Sequence, residues 1–144
     1  MKLRVRGKDK YGRGFFGASR KGRLHNGVDL VNHTGEAITA FCDGTVTKIG
    51  FPYDPRDCKK GIFRYVEVSD SGGRRFRYFY SDSLVDLGQV VSQDEIIGAA
   101  QELECIYPGI TQHCHFEIML EDGSYISPVQ ELEALGYEFE GQLE

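Results

Sequence analysis

Residues 64–80 read RYVEVSDSGGRRFRYFY. Apolar and polar residues alternate on both sides of the Ser71-Gly72-Gly73 turn signal. That is the signature of an antiparallel hairpin with one buried and one polar face. Short runs rich in Val, Ile, Phe and Tyr recur outward from this hairpin, at Gly27–Val31, Ala37–Phe41, Gly44–Gly50, Arg64–Ser69, Phe76–Ser81, Ile96–Ala99 and His115–Leu120. Asp43-Gly44 and Asp122-Gly123 punctuate them as turns. One stretch reads as a helix, Pro128–Leu135, with Ser127 as its cap and Gly136 as its stop. The expected fold is mainly β: antiparallel strands closed as a sandwich or barrel, with one short C-terminal helix.

The chain has 144 residues, enough for one domain and its core and too few for two ordinary domains. Its net charge of -5 hides a split. Nine of the 17 Lys and Arg lie within residues 2–23, where Asp9 is the single acid. From Tyr78 to Glu144 there are 14 Asp and Glu and no Lys or Arg. A bulk nucleic-acid binder is disfavoured, because its basic surface would have to come from the N-terminal segment alone. No run of 18 apolar residues is present, so membrane insertion is not expected. The basic N-terminus lacks the apolar stretch of a secretory signal. Of the four cysteines, none forms a C-x-x-C pair, and free thiols are expected, with Cys58 the most exposed.

The chemistry centres on three of the four histidines. In a strand, His113 and His115 project to one face and Cys114 to the other. Two imidazoles on one face can begin a metal site, although a pair of surface or core histidines has the same pattern. In a straight strand, His25 and Asp29 would lie ~13 Å apart. A kink at Gly27 would bring them together, whereas a plain Asn26-Gly27 turn would leave Asp29 bonding to backbone. Two His and one Asp would leave a fourth zinc position open for water, with the extra histidine of the H-x-H beside it. Tyr78 and Tyr80 share strand parity and are expected to line one cleft, with packing the alternative role. Glu117 shares the parity of His113 and His115 and is a candidate to orient an imidazole. His33 reads as a solvated loop residue, and Glu131, Glu133, Glu138, Glu140 and Glu144 as a solvated acidic face.

The order of these motifs resembles the lysostaphin-type zinc endopeptidases, which cut peptidoglycan cross-links. His25-Asn26-Gly27-Val28-Asp29, Gly35–Ala40 and Asp43-Gly44-Thr45-Val46 are similar to the family's H-x-G-x-D, G-x-x-V-x-A and D-G-x-V succession. Leu87–Val91 with Ile96–Gly98, His113–Ile118 and Ser127-Pro128 resemble the later motifs, so the likeness spans about residues 24–130. The resemblance implies one zinc ion held by His25, Asp29 and His115, with His113 as a catalytic histidine. The family's second catalytic histidine, in Y-x-H, is replaced by Tyr80 of Tyr78-Phe79-Tyr80. A tyrosine hydroxyl can donate to an oxyanion but, with a pKa of about 10, is a poor base near neutrality. Tyr107–His115 also resembles the Y-P-G-I-x-x-H-x-H stretch of the leukocyte cell-derived chemotaxins, which share the fold, carry Tyr at that position and are regarded as zinc-binding signalling proteins.

These readings divide the chain into a basic Gly-rich arm (1–23), a lysostaphin-type peptidase-like domain (24–136) and an acidic tail (137–144). The arm is expected either to grip anionic wall polymer or merely to neutralise the acidic half. The expected function is zinc-dependent hydrolysis of peptidoglycan stem peptides or cross-bridges, with His113 and Tyr80 assisting; with no secretion signal read, a virion-associated or released lysin fits. The alternatives are a catalytically degenerate zinc-binding module that binds cell wall or a protein partner, and a plain β-barrel whose likeness to a zinc site is fortuitous.

Overall fold

The computed structural model describes residues 2–20 and 22–141; Glu144, at the end of the acidic tail, lies outside the described residues. The chain runs β1 (Lys2–Arg4), β2 (Ser19–Arg20), β3 (Arg23–Leu24), β4 (Val28–Val31), β5 (Ala37–Thr39), β6 (Gly44–Gly50), β7 (Tyr65–Ser69), β8 (Arg75–Phe79), β9 (Ser81–Ser83), β10 (Val90–Val91), β11 (Ile96–Ala100), β12 (His113–Met119), β13 (Tyr125–Ile126), α1 (Pro128–Ala134) and β14 (Glu138–Glu140). The main sheet has seven strands in the order β10-β6-β7-β8-β12-β13, with β4 pairing the other half of β12. A second sheet is ordered β5-β11-β9. The expected mainly β class with one short helix is observed, but the sheets do not close into a barrel. The pairing is also not wholly antiparallel, since β1 lies parallel to β14. No helix among the described residues is long and apolar enough to cross a membrane.

Alternation gives the main sheet two unlike faces. Val66, Val68, Phe76, Tyr78, Cys114, Phe116, Ile118, Val28 and Leu30 turn inward, where they meet Ile38 and Ile97 of the second sheet and Leu132 of α1. Each fully buried side chain of this size contributes roughly 1.5–3 kcal/mol. The opposite face is polar, and its residues stand in rows across the strands. Asp29, His115, Phe79 and Tyr65 form one row of direct partners, and Glu117, Arg77 and Glu67 form the next. The functional groups therefore sit on the back of the core.

Two local expectations are corrected. The run Phe76–Ser81 breaks at Tyr80, whose φ of 66° is left-handed and ends β8 before β9 begins. Tyr78 and Tyr80 consequently do not line one cleft. Tyr78 is fully buried in the core, and its hydroxyl accepts the Phe41 N–H at 2.9 Å. Ser127 precedes α1 but makes no side-chain capping bond. Tyr78→Phe is expected to cost about 1–3 kcal/mol, because the buried Phe41 N–H loses its only described acceptor. Denaturant unfolding should show a lower midpoint at unchanged slope.

The N-terminal segment contributes Leu3, Val5 and Ala18 to the buried set, and Phe15 and Phe16 pack against the core. All four cysteines are free, with Cys58 and Cys105 exposed and Cys42 and Cys114 buried.

Candidate metal centre

The chain bends at Asn26-Gly27, before β4 begins at Val28. This kink brings His25 Nε2 to 3.1 Å from Asp29 Oδ1. Gly27 is required for closeness: a Cβ there would lie 2.2 Å from the Phe116 carbonyl oxygen of β12. That oxygen is backbone of the central strand and cannot yield without loosening the β4–β12 ladder. Gly27→Ala is therefore expected to destabilise the protein by about 3 kcal/mol, the upper end of overpacking costs. It should also weaken metal binding, because the bend sets the separation of His25 from Asp29. Thermal unfolding and metal titration of one preparation read both effects.

Strand β12 pairs β4 so that His115 stands directly opposite Asp29. His115 Nδ1 lies 3.1 Å from Asp29 Oδ1 and 2.9 Å from His25 Nε2. The outward atoms of the three side chains are already engaged. His25 Nδ1 is 3.0 Å from the Phe15 carbonyl, to which it can only donate. His115 Nε2 donates to Glu117 Oε1 at 2.8 Å, and Asp29 Oδ2 accepts from Arg6 Nε at 3.1 Å. These partners direct three lone pairs at one another across about 3 Å. Among the described residues, His25, Asp29 and His115 are the one group whose ligand atoms converge within 4.8 Å.

The donor set fits zinc. Ligands at ~2.0–2.2 Å in a tetrahedron stand about 3.3–3.6 Å apart, only a few tenths of an ångström wider than this triangle. Without a cation the lone pairs need a shared proton. Burial alone would lower the His115 pKa, but its bonds to Asp29 and Glu117 outweigh burial and push it up to about 9. Burial likewise opposes the charge on Asp29, yet His113, His115 and His25 around it hold the carboxyl well below the usual range.

His113 faces the same cleft, with Nε2 3.6 Å from Asp29 Oδ2. Its Nδ1 donates to the Thr111 carbonyl at 2.7 Å, so a neutral ring presents Nε2 bare to the cleft. Burial lowers its pKa against the pull of Asp29 and so favours this neutral form. Tyr80 reaches the cleft through its left-handed backbone, and its ring meets that of His113 edge-on at 5.7 Å. That conformation costs a non-glycine residue about 1–2 kcal/mol. Several bonds fix it: the Tyr80 and Ser81 N–H groups both donate to the Arg64 carbonyl, and the Gln101 N–H donates to the Tyr80 carbonyl. The Tyr80 hydroxyl is 3.3 Å from that of Tyr53, which lies 2.9 Å from that of Tyr107. Burial and the neighbouring Tyr53 raise the Tyr80 pKa well above its ordinary value, so it stays protonated.

The cleft has a volume of about 440 Å³. Besides the histidines it is lined by Tyr53, Tyr107, Arg20 and Arg23. The structure thus gathers His25, Asp29, His113, His115, Tyr80 and Glu117 in one place and leaves His33 exposed on a loop. Sequence reading missed Arg6, Arg20 and Tyr53. Arg6 is buried, bonds Asp29, and is bridged by Asp9 at 2.9 Å. Asp9 in turn accepts the Thr111 N–H next to His113. Arg20 approaches Asp29 Oδ2 to 3.7 Å. The basic segment therefore turns one guanidinium inward to the site and places two more at the cleft. Nothing in local sequence marks Arg6, because its contact spans 23 residues and depends on the tertiary fold.

The chain is similar to known proteins in sequence and in fold. The chain is 31% identical to leukocyte cell-derived chemotaxin-2 of Bos taurus over 113 residues, which is 78% of this chain and 72% of the relative. It superposes on the catalytic domain of the antimicrobial peptidase lysostaphin from Staphylococcus simulans with a TM-score of 0.63 and 23% identity, covering 88% of this chain and 92% of that domain. Against a longer lysostaphin chain the TM-score is 0.69 at 24% identity, covering 94% of this chain and 53% of the other, so this chain spans about half of that length. A chain of the SpoIIQ–SpoIIIAH pore-forming complex matches with a TM-score of 0.53 and 27% identity, covering 74% of this chain and 64% of that one. The model of peptidase family M23 matches residues 23–128, which hold the kink, both β12 histidines and Tyr80, and the chain belongs to that family.

Proposed function

We propose that the protein is a zinc-dependent endopeptidase acting on the peptide cross-links of bacterial cell-wall peptidoglycan. One observation carries this reading: three ligand atoms of His25, Asp29 and His115 converge beside the bare Nε2 of His113 in an open cleft. His25, Asp29 and His115 would hold the zinc, which when bound would supply Lewis acidity and a water of lowered pKa, the two things amide hydrolysis needs. His113 Nε2 accepts a proton from the attacking water and can return it to the leaving amine, with Thr111 holding the ring by Nδ1. Tyr80, kept protonated, donates its hydroxyl hydrogen to the developing oxyanion. Arg20 and Arg23 at the cleft suit the free carboxylates of stem peptides.

Tyr80 also favours a second reading, a zinc-binding module that recognises wall or a protein partner without cleaving it. Its hydroxyl is tied to Tyr53, and a buried phenol is no base at neutral pH. The likeness to chemotaxin-2 and to a chain that assembles with a protein partner supports this alternative. The experiment is metal analysis of untagged protein followed by digestion of several peptidoglycan types, with products identified by mass. One zinc per chain together with new amino groups supports the peptidase. Zinc without new amino groups favours the module, and no zinc overturns both.

A further inference from the structure

Behind the candidate metal centre runs a line of buried charge that the proposed chemistry does not use. Glu67 of β7, Arg77 of β8 and Glu117 of β12 are direct cross-strand partners on the polar face of the main sheet. Arg77 Nε donates to Glu67 Oε2 at 2.7 Å, and an Arg77 guanidinium nitrogen lies 3.3 Å from Glu117 Oε2. Glu117 then turns its other oxygen, Oε1, to His115 Nε2 at 2.8 Å. At the far end Thr47 donates to Glu67 Oε1 at 2.7 Å. The two glutamate side chains are each 6% exposed and that of Arg77 15%.

We propose that Glu117, braced by Arg77 and Glu67, is the positioning residue that holds the proton of His115 on Nε2 and aims Nδ1 at the cation. Two buried carboxylates one row apart from a metal centre are costly, and a single guanidinium between them satisfies both. An apolar row here would leave β7, β8 and β12 equally well paired, so sheet formation alone does not call for these charges. The remaining Glu117 oxygen has one described partner, His115 Nε2. A carboxylate on the distal nitrogen of a ligating imidazole fixes its tautomer and makes the metal-facing nitrogen a stronger donor. His25 has a backbone carbonyl, of Phe15, in the corresponding place. Of the two histidine ligands, His115 is thus the one whose orientation depends on another side chain.

This inference rests on the zinc reading for its consequence but not for its geometry, and the experiment separates the two. In metal-free protein, long-range 1H–15N spectra should show a slowly exchanging His115 Nε2–H that is lost in Glu117→Leu. Zinc titration against a chromophoric chelator should give a Kd about 10–100-fold higher for Glu117→Leu than for the natural chain. Glu117→Gln, which keeps an acceptor and the side-chain shape, should retain the N–H signal and fall between the two; it also serves if Glu117→Leu fails to fold. An Nε2–H signal in a chain that binds no zinc supports the positioning contact and overturns the metal reading. Zinc bound with equal Kd by the natural chain and a folded Glu117→Leu overturns the positioning role, as does absence of the Nε2–H signal in the natural chain.

Discussion

Asp29→Ala is expected to weaken zinc binding by at least about 100-fold and to lower the stability of the metal-free protein by about 3–5 kcal/mol. Two separate losses combine. Asp29 Oδ1 is one of three converging ligand atoms, and a two-histidine remnant retains little of a structural site's affinity. Asp29 Oδ2 is the partner of Arg6, whose side chain is 3% exposed. Removing the carboxylate leaves that guanidinium buried with Asp9 alone, and a broken buried pair costs more than an intact one contributes. Asp29→Asn separates the losses, since its amide oxygen can still accept from Arg6 while the charge is gone. It should recover much of the stability and little of the zinc affinity. Denaturant unfolding with and without zinc checks this: the zinc-induced stabilisation of the natural chain should vanish in both variants. A variant that binds zinc as the natural chain does would remove Asp29 from the ligand set.

The reach of the sequence follows from where each signal sits. The β7–β8 hairpin was legible because alternation and a Gly-Gly turn lie within 17 residues. The shared face of His113, His115 and Glu117 followed from parity within one strand, and the structure keeps it. Parity failed at Tyr80 for a definite reason. A positive φ there swings the side chain off the register that Tyr78 obeys, and a non-glycine residue carries no sequence mark of such a bend. The His25–Asp29 convergence depended on the Asn26-Gly27 bend, which the sequence allowed but did not require. The 2.2 Å approach to the Phe116 carbonyl that demands glycine is a tertiary fact. Arg6, Arg77 and Glu67 were illegible as site residues for the same reason, since each acts through a partner brought by pairing between distant segments.

The second large effect concerns the two residues facing the reacting atoms. His113→Ala should lower kcat by about 10²–10⁴ with zinc content unchanged, because the ring contributes proton transfer and no ligand atom. Tyr80→Phe should lower kcat less than that if the hydroxyl serves only as one oxyanion donor shared with Tyr53. Tyr80→His is expected to act in the opposite direction. Histidine is among the few residues enriched in left-handed conformation, so the backbone at position 80 accepts it readily. Its imidazole offers a group that titrates near neutrality in place of a phenol held protonated. The sign of the change at position 80 therefore discriminates the two functional readings. A natural chain that already cleaves, loses activity in Tyr80→Phe and gains in Tyr80→His uses its tyrosine as a working but weaker substitute. A silent natural chain that gains cleavage only in Tyr80→His retains zinc and His113 for recognition, and then His113→Ala should alter binding of wall or partner. Activity indifferent to both Tyr80 variants and to His113→Ala would remove these residues from the chemistry altogether.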